Sequence, residues 1–130
     1  MNVPGESAGR PWWRAAFLIR SVVLLALACS QTAQALSIRE MRGLEQSDKK
    51  YGITYVQYYL VGAMEGALEA NSQSVRAGAK ALFCLNGRRL EPRMAKPLFD
   101  AELRRNAGVY EADMPVQLVM LNALATSYTC

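Results

Sequence analysis

The sequence contains no histidine. That absence removes Ser-His-Asp and Cys-His nucleophilic catalysis, and with them every metal site that needs an imidazole. Cysteine is scarce, three in 130 residues, which is too few to build a thiolate zinc site. No glycine-rich phosphate loop occurs, and no stretch alternates as a half-buried strand would. There is no internal repeat or low-complexity tract. The charge excess is small, 15 Lys and Arg against 11 Asp and Glu for a net of +4. Together these absences argue against an enzyme, a metal or cofactor site and a nucleic-acid binder.

What is present begins with an export pattern. Arg10, Arg14 and Arg20 precede an apolar run from Ser21 to Cys29, and Ala33-Gln34-Ala35 offers a small-x-small cleavage site. This is the order of a cleaved secretory signal peptide over residues 1–35. The run is too short for a membrane anchor, which needs about 20 apolar residues. Acylation at Cys29 is the lesser variant, because Leu27 stands where a lipoprotein signal disfavours leucine. Cleavage after Ala35 leaves a domain of residues 36–130. Three arginines and one glutamate go with the leader, so twelve basic and ten acidic residues remain, a net of +2. That balance gives no reason to expect nucleic acid or stable membrane insertion, and the signal peptide places the product in the periplasm.

A domain of this size buries only a little over 60% of its unfolded surface, so a covalent staple matters. Two cysteines remain after cleavage, Cys84 and Cys130, and in an oxidising compartment they are expected to join.

The mature chain reads as all-α, a small four-helix bundle. Leu36 to Leu44 carries Ile38, Met41 and Leu44 at three-residue spacing, with Gly43 and the polar run that follows marking its end. Tyr51 to Ala70 is the central helix. Ile53, Val56, Leu60, Ala63 and Ala67 form its apolar face, and Ser47 or Asp48 can cap it. It can run on as far as Gly78. Tyr59, Gly62 and Gly66 read as helix packing: two glycines four apart predict a neighbouring backbone at close range, with a homodimer seam as the other reading. Tyr51, Tyr55, Tyr58 and Tyr59 are expected mostly in the core, with one or two facing a partner. Glu65 and Glu69 read as a solvated face rather than a catalytic pair.

Ala79 to Asn86 reads as extended, and Asn86-Gly87 as a turn. A third helix runs from Pro92 to Arg105, either kinked at Pro97 or starting there. The last has Asp113 as N-cap and Pro115 in its first turn, and buries Val116, Val119, Met120, Ala123, Leu124 and Tyr128. Arg88, Arg89 and Arg93 cluster after the Asn-Gly turn, either as a solvated loop or as a partner-contacting loop anchored by Cys84.

In order, then, an export leader is followed by YLVGAMEGALEAN (59–71) and LFCL (82–85). A helix comes next, and MPVQLVMLNALATSYTC (114–130) ends on cysteine. This succession over Tyr55 to Cys130 resembles the Rap/Tai family of type VI secretion immunity proteins. Tyr59, Gly62 and Gly66 match the family's central helix, and Cys84 its cysteine after an apolar pair. The ending Tyr128-Thr129-Cys130 lacks the family's proline. So does the mature chain lack the further cysteine pair of many members, and Pro97 interrupts a helix that is normally proline-free. The resemblance implies a periplasmic, non-catalytic protein that binds a cell-wall amidase effector and blocks its active site. The alternative from residue inventory is a chaperone-like or structural helical protein without a toxin partner.

Overall fold

The computed structural model describes residues 35–130. The leader, its cleavage residue Ala33 and Cys29 therefore lie outside the described residues. Four helices make up the described chain: α1 (Ile38–Ser47), α2 (Tyr51–Arg76), α3 (Ala95–Arg105) and α4 (Val116–Ser127). A 3-10 turn at Pro92–Met94 leads into α3. The described residues form no strand, only a single antiparallel bridge between Ser37 and Pro115. The fold is the expected all-α bundle stapled by one disulfide.

α1 starts with a capping box. The Glu40 backbone N–H donates to Ser37 Oγ at 3.3 Å, and Glu40 Oε2 accepts the Ser37 N–H at 2.8 Å. Two further orphan donors at this helix start are satisfied by the loop before α4: Ile38 N–H by Met114 O and Arg39 N–H by Ala112 O. Val116 N–H returns a bond to Leu36 O, so the starts of α1 and α4 hold each other. The helix runs through Gly43 to Ser47, longer than the glycine suggests. One glycine costs about 1 kcal/mol in a helix interior, less than the burial of Ile38 and Met41 on this helix returns.

α2 has 26 residues, a length of ~39 Å, and touches each of the other three helices. Its N-cap position is Lys50, which makes no side-chain cap bond. Asp48, two residues earlier, satisfies the helix start: Oδ1 accepts the N–H groups of Lys50 and Tyr51, both at 2.9 Å. Its buried row is Gly52, Val56, Leu60 and Met64, one residue every four. The row bypasses Ile53, which is exposed. The reason is the tight turn from α1: a Cβ at Gly52 would meet Leu44 O at 2.0 Å. Only glycine fits there, and the helix is set with that side inward. Tyr51, Tyr55 and Tyr58, spaced i, i+4 and i+7, then fall away from the core and are 68%, 54% and 75% exposed. The expectation that they are mainly core residues is corrected by this rotation.

Pro97 sits in the first turn of α3, where its missing N–H has no bond to make, so the helix begins near it instead of kinking. α4 follows the expected pattern. Val116, Val119, Met120, Ala123, Leu124 and Tyr128 are all buried, against Phe83, Phe99, Leu60 and Met64. Its N-cap, however, is Pro115 and not Asp113. Asp113 is exposed and pairs with Arg39 at 3.0 Å instead. The backbone bonds to α1 fix the chain at Ala112 to Val116, and the helix starts where they end.

Candidate functional site

The segment between α2 and the 3-10 turn before α3 has no helix of its own and is held by side chains and a covalent bond. Asn71 on α2 does the first part: its Nδ2 donates to Phe83 O at 3.0 Å and its Oδ1 accepts the Leu82 N–H at 2.8 Å. Phe83 is thereby pinned into the core. Cys84 follows at once. Its Sγ is bonded to that of Cys130, with Cα atoms 4.7 Å apart, and its N–H donates to Tyr128 O at 2.7 Å.

The turn comes next. Asn86 and Gly87 both take positive φ, 51° and 80°, the pairing that Asn-Gly adopts most readily. Arg88 N–H closes it on Leu85 O at 3.0 Å. The arginines that share this stretch of sequence are not one site. Arg88 is folded back, with its guanidinium 4.8 Å over the Tyr128 ring and Nε donating to Leu85 O at 3.1 Å. Arg93 pairs with Glu91 at 2.6 Å and lines a separate cleft with Gln57, Tyr58 and Lys96. Of these three, Arg89 alone is exposed with neither an ion pair, a side-chain hydrogen bond nor a ring contact among the described residues. The turn thus presents one cation, mounted on three constraints.

The glycine stripe of α2 also lies differently from its sequence reading. A Cβ at Gly62 or Gly66 would meet nothing within 4 Å, so no backbone of the described chain approaches either. Instead the stripe floors an open groove of about 510 Å³, with Ala63, Ala67 and Ala70 beside it and Leu82 and Leu121 across. Tyr59 closes one end. Its hydroxyl accepts the Leu36 N–H at 3.0 Å and a bond from Gln117 Nε2, and its ring stacks on Tyr55 at 6.4 Å. Of the three residues read as packing, Tyr59 packs against the core and the two glycines do not.

A polar cluster that sequence reasoning missed joins α3 to α4. Glu102 is 2% exposed. Its carboxylate accepts from Arg105 at 3.0 Å, Asn106 at 2.7 Å and Tyr110 at 2.8 Å, and Asn122 on α4 donates to Tyr110 Oη at 3.0 Å. Burial, then the bond to Glu102, pushes the Tyr110 hydroxyl above the usual tyrosine range. Every buried polar side chain here has a partner, which marks the cluster as a joint rather than a reaction centre. The signal was available, since Glu102 stands three residues after Phe99 on the side that faces the core. Asn71 had no such signal, because its role depends on where the following segment returns.

No protein-family model, curated protein or solved structure matches the chain. Among the described residues no group of acidic or cysteine side chains is placed to hold a metal ion. No described helix is long and apolar enough to cross a membrane.

Proposed function

We propose that the protein is an exported, periplasmic binding module of the immunity type, one that occludes a cell-wall amidase effector by inserting the turn Asn86–Arg89. The observation that carries this reading is Arg89 on a clamped turn. A plug must enter a partner's cleft without losing much conformational freedom, and a preorganised loop meets that requirement. Arginine suits the tip, because its guanidinium binds carboxylates bidentately in a desolvated cleft. The resemblance of the helix order and terminal cysteine to immunity proteins supports the same reading, as does the absence of histidine from the chain.

The groove on α2 favours a second reading, a chaperone-like or structural protein that shelters apolar segments of other chains. Capture from the host periplasm separates the two. An amidase recovered in one-to-one complex supports the plug, whereas a mixture of unrelated unfolded chains supports the holdase. In the first case Arg89→Ala should weaken binding by more than about 2 kcal/mol, the scale of an interface hot spot, measured by titration calorimetry. Unchanged affinity would move the contact away from the turn.

A further inference from the structure

We infer that the Cys84–Cys130 bond is a redox switch on the Asn86–Arg89 turn, so that the turn is ordered for binding only after the chain is oxidised. The inference rests on the reading of that turn as the binding element. It adds what controls it.

The argument is one of attachment. On its N-terminal side the segment is secured to the bundle as far as Phe83, by Asn71 and by burial of the Phe83 ring. On its C-terminal side it is secured again from Met94 and Ala95 onward, where α3 begins. Between these anchors Leu85 and Leu90 lie partly buried against the core, and every covalent, hydrogen-bond or cation–π tie from the segment to the rest of the bundle goes to Tyr128 or Cys130. These ties are the disulfide to Cys130, the Cys84 N–H to Tyr128 O, and the Arg88 guanidinium over the Tyr128 ring. The C-terminal tail beyond α4 is correspondingly short, and Thr129 and Cys130 are exposed. Without the covalent bond, the residues Asn86 to Arg89 keep only the Arg88 cation–π contact to the bundle, and the segment around them one hydrogen bond and the partial burial of Leu85 and Leu90, each weak singly. The helices themselves do not depend on the bond, since their buried contacts among Val56, Leu60, Phe99, Val119 and Leu124 lie inside the bundle.

The chemistry balances as ordinary thiol–disulfide exchange. A dithiol reductant gives two electrons and two protons to the bond, leaving two thiols and its own cyclic disulfide. Restoring the bond requires an oxidised disulfide donor. The exposed Cys130 thiolate attacks one donor sulfur, and the Cys84 thiolate then displaces the donor as a thiolate. A chain still in a reducing compartment would hold its turn open, and an exported one would close it.

Limited trypsin digestion tests this directly, because the turn carries its own cleavage sites at Arg88 and Arg89. The purified chain is digested oxidised and after dithiothreitol, with fragments mapped by mass spectrometry and helix content followed by circular dichroism. A Cys84→Ser, Cys130→Ala variant without reductant serves as the second measurement. The expected result is cleavage at Arg88 or Arg89 about tenfold faster or more in the reduced protein and in the variant, with helix content kept. Equal rates at the turn in both states would overturn the switch. So would reduction that exposes sites throughout the helices and abolishes their signal, since the bond would then hold the fold and not the turn. A partner that binds oxidised and reduced protein equally well sinks the switch and leaves the plug standing. Faster cleavage with no amidase captured does the reverse.

Discussion

Glycine residues that look alike in the sequence do opposite things in the fold. Gly52 lies where a methyl group would sit 2.0 Å from the Leu44 carbonyl oxygen and 2.8 Å from its carbon, and both of those atoms belong to backbone that cannot step aside cheaply. Gly52→Ala should therefore destabilise the protein by about 1–3 kcal/mol, as overpacking does. Gly62 and Gly66 have open space around the missing methyl. Alanine there should stabilise the helix by up to about 1 kcal/mol per site, the propensity difference alone. Thermal melts of the three variants check both signs, and a loss at Gly62 would show that something outside the described chain covers the stripe. Glu102 is the other residue with a large expected effect. Glu102→Ala strands the Asn106 and Tyr110 donors beside a cavity, at about 2–3 kcal/mol. Tyr110→Phe removes one donor and its acceptor duty to Asn122, and should cost about 1 kcal/mol.

At the scale of elements, charge holds α1 to α3. Lys96 Nζ reaches Asp100 Oδ2 at 3.0 Å within α3 and Glu45 Oε1 at 3.2 Å on α1. Partial burial pulls the ammonium's pKa down, but bonds and charge from Asp100 and then Glu45 outweigh it, so it ends above the usual lysine range. The Tyr110 hydroxyl between α3 and α4 is raised as well. Both groups hold their protons more tightly folded than unfolded. The stability they supply is complete below about pH 10 and is lost as pH rises through the raised values. Melting temperature should accordingly fall from about pH 10 to 12, and Lys96→Met or Tyr110→Phe should each flatten part of that fall. A parent and variants with parallel slopes would count against the two couplings. The helices were legible because their periodicity is local. α4 shows its whole buried face in the sequence, and the Asn-Gly turn its own geometry. What stayed hidden depended on distant chain. The rotation of α2 is set by Leu44, the cap of α4 by backbone bonds from α1, and the fate of Arg88 by Tyr128 forty residues on. Arg88, Arg89 and Arg93 look like one cluster in sequence because adjacency says nothing of direction.

At the scale of the whole described chain, one covalent closure joins the segment after α2 to Cys130. Cys84 and Cys130 are 46 positions apart, and confining an unfolded loop of that length is worth about 4 kcal/mol on the chain-entropy account. Replacing both, Cys84→Ser with Cys130→Ala, should lower the melting temperature, since each kcal/mol moves a domain of this size by about 4–8 °C. The bundle should still fold at 25 °C, because its buried side chains meet without the bond. The rate of refolding of the oxidised and reduced chains locates the effect. If the loop between the two cysteines is already closed in the transition state, the bond leaves the unfolding rate little changed and speeds folding. If it acts by holding the native tail against Cys84, its loss speeds unfolding and spares folding. A contact that forms last belongs to the second case. Cys84 and Cys130 lie in the short segments that follow α2 and α4, a placement that favours late contact, so the expected outcome is faster unfolding, read in stopped-flow denaturant jumps. A reduced chain that folds more slowly while unfolding at the parent's rate would place the bond in the folding nucleus instead.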